Sequence, residues 1–289
     1  MPDSLVDGTF VEVGSGLRLW TQRMGKREGA PLLLVMGANS SGMAWPGKFL
    51  AHLAGNHSVI RYDHRDTGRS SRVFDKMPYS MSDLAADAVA VLDALGIPAA
   101  HVVGMSMGGL LSQLLLLDYP ERLLSATLFC APALPMGDGA DDPALPGPDP
   151  RLVELWRRQA EARDQATELD LRVEHWRLLN GSVHPIDEER YRRLEARLPS
   201  QIGGHGGGGV HNRIAQHDVR RGAELSRVTT PTLVIEAPED PLIPPAHARW
   251  LAATIPTARL VSVPGMGHVL HPAVLTPLAR AIVAHVEGS

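Results

Sequence analysis

The sequence predicts an α/β fold: a mostly parallel central sheet with helices on both faces and an inserted helical cap. Three observations predict it. Short apolar runs alternate with amphipathic helical patterns over most of the chain, the pattern of a parallel sheet built from βαβ units. That rhythm breaks once, between about Pro135 and Gly222. A glycine-flanked serine, Gly104-Met105-Ser106-Met107-Gly108-Gly109, sits where an apolar run passes into a helical one. At 289 residues the chain is long enough for one such core with an insertion.

The elements follow in order. Phe10 to Val13 and Leu17 to Gln22 form a hairpin turned by Gly14-Ser15-Gly16. Pro31 to Val35 is a continuous apolar strand, followed by a helix from about Trp45 to Leu53 and a strand Ser58 to Tyr62. Ser80-Met81-Ser82-Asp83 is a capping-box start. The helix it opens carries Leu84, Ala88, Val91, Leu92 and Leu95 on one stripe and stops at Gly96. The strand Ala100 to Val103 leads into the serine turn, a helix over Leu110 to Leu117 leads out, and Leu123 to Cys130 is the next strand. A Pro/Gly-rich linker, Pro135 to Pro150, opens the break. Charged helical stretches follow from about Arg151 to Leu179 and from about Asp187 to Leu198, then the glycine run Gly203 to Gly209. Strands resume at Thr232 to Glu236 and Ala258 to Val263. Residues 1–134 and 223–289 are thus expected to form the core, and 135–222 the cap.

The serine segment fits the G-x-S-x-G nucleophile elbow, a sharp strand-to-helix turn that exposes the hydroxyl above the sheet. Side chains at the flanking positions would clash where the strand folds back against the helix, hence the glycines. In an α/β-hydrolase the chain order is Ser, then acid, then His. Asp240 stands in the turn after the strand Thr232 to Glu236, and His268 ends the loop Pro264-Gly265-Met266-Gly267-His268 after the next strand. The chemistry assigns roles: Ser106 attacks a carbonyl, His268 takes and returns its proton, and Asp240, rather than Glu239, holds the imidazolium. The loop Met36-Gly37-Ala38-Asn39 supplies one oxyanion amide and Met107, after the nucleophile, the other.

Composition narrows the function classes. The net charge is −4, with no long basic run, so nucleic acid and anionic membranes are not expected partners. No apolar stretch approaches the roughly eighteen residues of a membrane span. The start Met1-Pro2-Asp3-Ser4 lacks a charged leader with an apolar h-region, and the single cysteine excludes an intrachain disulfide, so a cytoplasmic enzyme is expected. Nothing in the sequence specifies an oligomeric state.

Other conspicuous residues have plainer readings. Cys130 reads as a buried structural thiol, and Asp63-His64-Arg65-Asp66 as a strand-end turn stabilised by side-chain hydrogen bonds. His101 reads as a hydrogen-bonded structural histidine. His205, His211 and His217 match no compact ligand spacing, so no metal is expected. Met36, Met43, Met105, Met107 and Met266 suit either an adaptable pocket wall or core filler. Trp156, Trp176 and Tyr191 could face substrate or pack between cap and core.

The chain resembles the aclacinomycin methylesterase group of α/β-hydrolases, essentially end to end. The resemblance is carried by Val35-Met36-Gly37, by Arg61 to Ser70 (RYDHRDTGRS), by Leu84 to Asp93 (LAADAVAVLD) and by Pro264 to His268. It implies one α/β-hydrolase domain with a helical cap, no cofactor, and a small-molecule carboxylic-ester substrate. In that family the substrate is a methyl ester on a glycosylated aromatic polyketide. The family's triad falls on Ser106, Asp240 and His268, and its oxyanion amides on Ala38 and Met107. Ala38 in place of a glycine, and the Gly203 to Gly209 run, depart from the family in ways that bear on substrate rather than chemistry. The same triad also serves thioester or lactone hydrolysis, perhydrolysis, carbon–carbon bond hydrolysis or a cofactor-free lyase step. A non-catalytic small-molecule receptor on this fold would need no triad.

Overall fold

The computed structural model describes residues 8–136, 144–159, 161, 164–197 and 209–289. The N-terminal tetrapeptide, most of the glycine run with His205, and the middle of the 135–150 linker lie outside the described residues. The chain opens with β1 (Thr9–Val13) and β2 (Leu17–Gly25), an antiparallel pair joined by the tight turn Gly14–Gly16. Then come β3 (Pro31–Val35), α1 (Gly47–Ala54), β4 (Ser58–Tyr62), α2 (Met81–Ala94), β5 (Ala100–Met105), α3 (Met107–Asp118) and β6 (Leu123–Phe129). Three helices fall between β6 and the next strand: α4 (Pro150–Gln159), α5 (Gln165–Leu179) and α6 (Glu188–Arg197). The chain closes with β7 (Thr232–Glu236), α7 (Ala246–Thr254), β8 (Ala258–Ser262) and α8 (Leu275–Val286).

The eight strands form one sheet in the order β1-β2-β4-β3-β5-β6-β7-β8. Only β2 pairs antiparallel with its neighbours; every pairing from β4 to β8 is parallel. Because side chains alternate across a strand, the apolar runs feed two cores at once. Leu33, Val35, Val102 and Val234 face the core built with α2 and α3. Leu32, Leu34, Val103, Leu233 and Ile235 face the opposite one, filled by Phe49, Leu50 and Leu53 of α1 and Leu275, Leu278 and Ile282 of α8. Each such fully buried side chain contributes roughly 1.5–3 kcal/mol.

Helix starts and stops show where local chemistry sufficed. The capping box of α2 forms: Ser80 N–H donates to Asp83 Oδ2 at 2.8 Å, and Asp83 N–H to Ser80 Oγ at 3.2 Å. Three expectations need correction. The first helix starts at Gly47, after Pro46, rather than at Trp45. The helix after the serine starts at Met107, not Leu110, because one residue, Ser106, makes the whole turn. The stretch from Arg151 to Leu179 is two helices, the second restarted by Asp164, whose carboxylate accepts Thr167 N–H at 2.9 Å. Among the described residues no helix is long and apolar enough to cross a membrane.

The insertion sits over the loops after β7 and β8. Leu152, Trp156, Trp176, Leu179 and Tyr191 form a small apolar cluster with Leu242 and Val269, next-but-one to Asp240 and adjacent to His268. Asp149 N–H donates to Pro241 O at 2.7 Å, and His268 N–H to Leu179 O at 2.7 Å.

Candidate active site

Parallel strands end together, so the loops beyond β3, β5, β7 and β8 converge at one edge of the sheet. Ser106 sits at the β5–α3 junction with φ 58° and ψ −123°, a left-handed backbone that is costly for a serine. The surrounding sheet enforces it, with Ser106 N–H donating to Phe129 O at 3.1 Å. The flanking glycines are there for space. A Cβ at Gly104 would collide with Gly108 O and Ser112 Oγ, and one at Gly108 with the Val35 carbonyl.

Asp240 and His268 arrive on the loops after β7 and β8. His268 Nε2 lies 3.2 Å from Ser106 Oγ, and His268 Nδ1 lies 2.8 Å from Asp240 Oδ2. The remaining oxygen of Asp240, Oδ1, accepts the Leu242 and Ile243 amides, each at 2.9 Å. The Asp240 side chain is wholly buried, so these bonds keep its charge satisfied out of water. Glu239 turns instead to the insertion, accepting Ser182 Oγ–H at 2.7 Å.

Cys130 lies beneath this pair. Its thiol donates to Gly267 O at 3.5 Å, and burial, with Asp240 nearby, raises its pKa well above the usual thiol value. Cys130 Sγ, an Asp240 oxygen and a His268 nitrogen lie within 4.8 Å of one another. The donor chemistry suits a hydrogen-bond network better than a cation, since the thiol stays protonated and both Asp240 oxygens already accept N–H groups.

The loop after β3 runs against Ser106. The Gly37 backbone presses on Ser106; a Cβ there would lie 3.2 Å from Ser106 Cβ. Ala38 follows, then Asn39 with φ 57°. Met107, the first residue of α3, carries one of the amides that a helix's first turn leaves without an intrahelical acceptor. His64 Nε2–H donates to Met36 O at 3.0 Å, with burial lowering the pKa of this histidine to about 3, so the ring is neutral.

Other expected residues take structural places. Met36 and Met266 are buried, Met266 completely, in the core shared with α1 and α8; Met105 is partly exposed and packs on the same core. Met266 is therefore core filler rather than pocket wall. Met43 is exposed. Trp156 Nε1–H donates to His175 Nε2 at 3.3 Å, and Trp176 Nε1–H to Glu195 Oε1 at 2.6 Å, its ring stacked on Tyr191. Both indoles thus satisfy their polar edges within the insertion. His101 Nδ1 lies 2.8 Å from Ser125 Oγ, inside the sheet. Asp63 ties its turn together, accepting Ser41 Oγ–H and the Gly42 and Arg69 amides. Sequence reasoning missed the parts played around the β3 loop by His64 and His211 and around His268 by the Leu179 carbonyl. These pairings join residues far apart in the chain, and no local pattern marks them.

A serine at a strained elbow, a histidine hydrogen-bonded to it, and a buried carboxylate behind, all beyond the strand ends of one parallel sheet, form the arrangement of a serine hydrolase. The chain belongs to the α/β hydrolase fold family, whose model matches residues 30–272. Rhodomycin D methylesterase DnrP of Streptomyces peucetius is 48% identical over 94% of this chain and 95% of its own length. Rhodomycin D methylesterase DauP of Streptomyces sp. strain C5 is 47% identical over the same shares. Among solved structures, a hydrolase from Pseudomonas aeruginosa PA01 superposes with a TM-score of 0.72 at 26% identity, covering 97% of this chain and 98% of that one.

Proposed function

We propose that this protein hydrolyses the methyl ester of a glycosylated aromatic polyketide through an acyl-enzyme on Ser106. The carboxylic-ester chemistry and the polyketide substrate are supported by the two rhodomycin D methylesterases, which match nearly the whole chain. The observation that carries the residue roles is the continuous relay from Ser106 Oγ through the His268 ring to Asp240.

In this reading His268 removes the Ser106 proton as Oγ attacks the ester carbonyl. The Ala38 and Met107 amides receive the negative charge that develops on the carbonyl oxygen, where such donors are each worth about a hundredfold or more in rate. The imidazolium, steadied by Asp240, returns the proton to the departing methoxide, which leaves as methanol. Water then attacks the acyl-enzyme with His268 again as base, releasing the free acid and restoring Ser106. The sequence of steps needs no cofactor.

Residues 135–222 act as the cap that shapes the pocket for a bulky, flat substrate, with 1–134 and 223–289 as the core. The partner is a small molecule, and the enzyme works in the cytoplasm. The test is a panel of p-nitrophenyl esters run beside methyl esters of glycosylated polycyclic aromatic acids. The expected outcome is methanol release from the polycyclic esters, reduced about 10⁴-fold or more in a folded Ser106→Ala variant. A variant that keeps a tenth of the activity would remove Ser106 as the nucleophile.

A further inference from the structure

His211 stands in the short 3-10 turn Val210–Arg213, which follows the insertion's helices, and is almost fully buried. Its Nδ1 accepts the backbone N–H of Asn39 at 3.0 Å, while its own backbone N–H donates to Asn39 Oδ1, also at 3.0 Å. Asn39 Nδ2–H donates in turn to Asn212 Oδ1 at 3.2 Å. The clasp is reciprocal, with both the backbone and the side chain of Asn39 held by two consecutive residues. The second ring nitrogen, Nε2, lies 3.1 Å from the Arg65 carbonyl, which accepts only an N–H. That bond fixes the tautomer: the proton is on Nε2, and Nδ1 presents a lone pair to Asn39.

The loop so held is the one that supplies the β3-side oxyanion amide. Asn39 follows Ala38 directly and is itself left-handed, a conformation that asparagine tolerates but does not prefer. From the other side His64 fixes Met36 O, and its ring meets that of His211 edge-on at 5.7 Å. Residues 36–39 are thus gripped at both ends, and the second grip comes from outside the core of the loop's own half of the sheet. Burial lowers the pKa of His211, which keeps the lone pair available at neutral pH.

We infer that His211 is a positioning residue for ester cleavage, holding the Met36–Asn39 loop so that the Ala38 amide faces the oxyanion formed on Ser106. The inference rests on the esterase reading above. Its effect belongs to the transition state, because the grip aims an amide at charge that exists only there. A misplacement of about 1 Å at such a site can cost roughly a hundredfold.

The experiment measures kcat and KM for p-nitrophenyl acetate, a substrate too small to depend on the cap's fit. The enzymes are wild type, His211→Ala, His211→Asn, Asn39→Gly and Ser106→Ala, each checked for folding by circular dichroism. His211→Ala is expected to lower kcat by about 10- to 100-fold, with KM within about threefold. His211→Asn places Oδ1 near the lost Nδ1 and is expected to recover most of that loss, to within about fivefold of wild type. Asn39→Gly keeps the left-handed backbone but removes the side-chain half of the clasp, with an expected loss of about tenfold in kcat. Three outcomes would overturn the inference: a folded His211→Ala with kcat within twofold of wild type, equal losses in the Ala and Asn variants, or a loss confined to KM. If His211→Ala does not fold, Asn39→Gly decides, and an unchanged kcat there overturns it. Hydrolysis that survives Ser106→Ala would instead remove the esterase reading, a result distinguishable from all of these.

Discussion

The sheet core and the insertion are held together by different means, and the difference bears on what each can do. In the core, β3, β5 and β7 are apolar on both faces and pack against α1, α8, α2 and α3, so displacing one strand disrupts two clusters together. In the insertion the buried apolar set of its own cluster is small, Leu152 and Leu179 with Val269 of the core beneath. Leu155, Leu171 and Val173 are also buried there, and around them run ion pairs such as Arg177 with Glu188 and Arg192 with Asp170, both largely exposed. Exposed pairs contribute little each. The core therefore fixes Ser106, Asp240 and His268 to strand ends, while the insertion is built from cheaper, more local interactions. Yet the insertion is not a detached lid. Its Leu179 carbonyl accepts the His268 amide, and the segment beyond its helices clasps Asn39. The region with the smaller apolar cluster thus holds two loops of the region with the larger ones.

The sharpest test of the core's half of this contrast is the choice of carboxylate. Asp240→Asn is expected to lower kcat by about 10³- to 10⁴-fold, because the amide favours the wrong imidazole tautomer. Glu239→Gln, which alters only a contact with Ser182 of the insertion, is expected to stay within about tenfold of wild type. Steady-state kinetics on an activated ester read both, and a reversal of the two would move the acid to Glu239.

Stability should divide along the same line. Leu33 and Leu152 are both completely buried, one in the sheet and one in α4. Leu33→Ala should cost about 3–5 kcal/mol of global stability by denaturant unfolding. Leu152→Ala should accelerate hydrogen exchange in α4 and α5 while leaving the strands' protection unchanged. Equal loosening of sheet and insertion by Leu152→Ala would show that the two unfold as one unit.

Acid should act on the core through its buried histidines. Burial lowers the pKa of His64 to about 3 and of His101 to about 4. The unfolded chain, with histidines near 6.5, binds protons that these folded sites refuse, so stability rises with pH across that interval. Their contribution is complete above about pH 6.5 and is lost progressively as the pH falls toward about 4 for His101 and about 3 for His64. The thermal midpoint should therefore fall between pH 7 and pH 4.5, and less steeply in His101→Asn than in wild type. Parallel curves for the two proteins would discount His101.

The smallest effect is expected from the insertion's surface. Glu188→Gln breaks an exposed pair with Arg177 and should change stability by less than about 1 kcal/mol. A loss above about 2 kcal/mol would mean that the charged surface binds the insertion together more firmly than its exposure implies.

Most of this molecule was legible wherever the physics is local. Strand and helix periods, the capping box at Ser80, and the glycines that leave room for the turn at Ser106 depend on residues a few positions apart, so the order of elements could be read directly. The positions of Asp240 and His268 followed as well, since a parallel sheet delivers every strand end to one edge. What the sequence could not show is which side chains fill and which ones hold. Met266 sits in a glycine-bracketed loop beside His268, yet its side chain turns into the core. The two tryptophans bind their neighbours in the insertion. The clasp of His211 on Asn39 joins residues 172 positions apart. No period or spacing records such a pairing, because only the folded chain brings its donor and acceptor together.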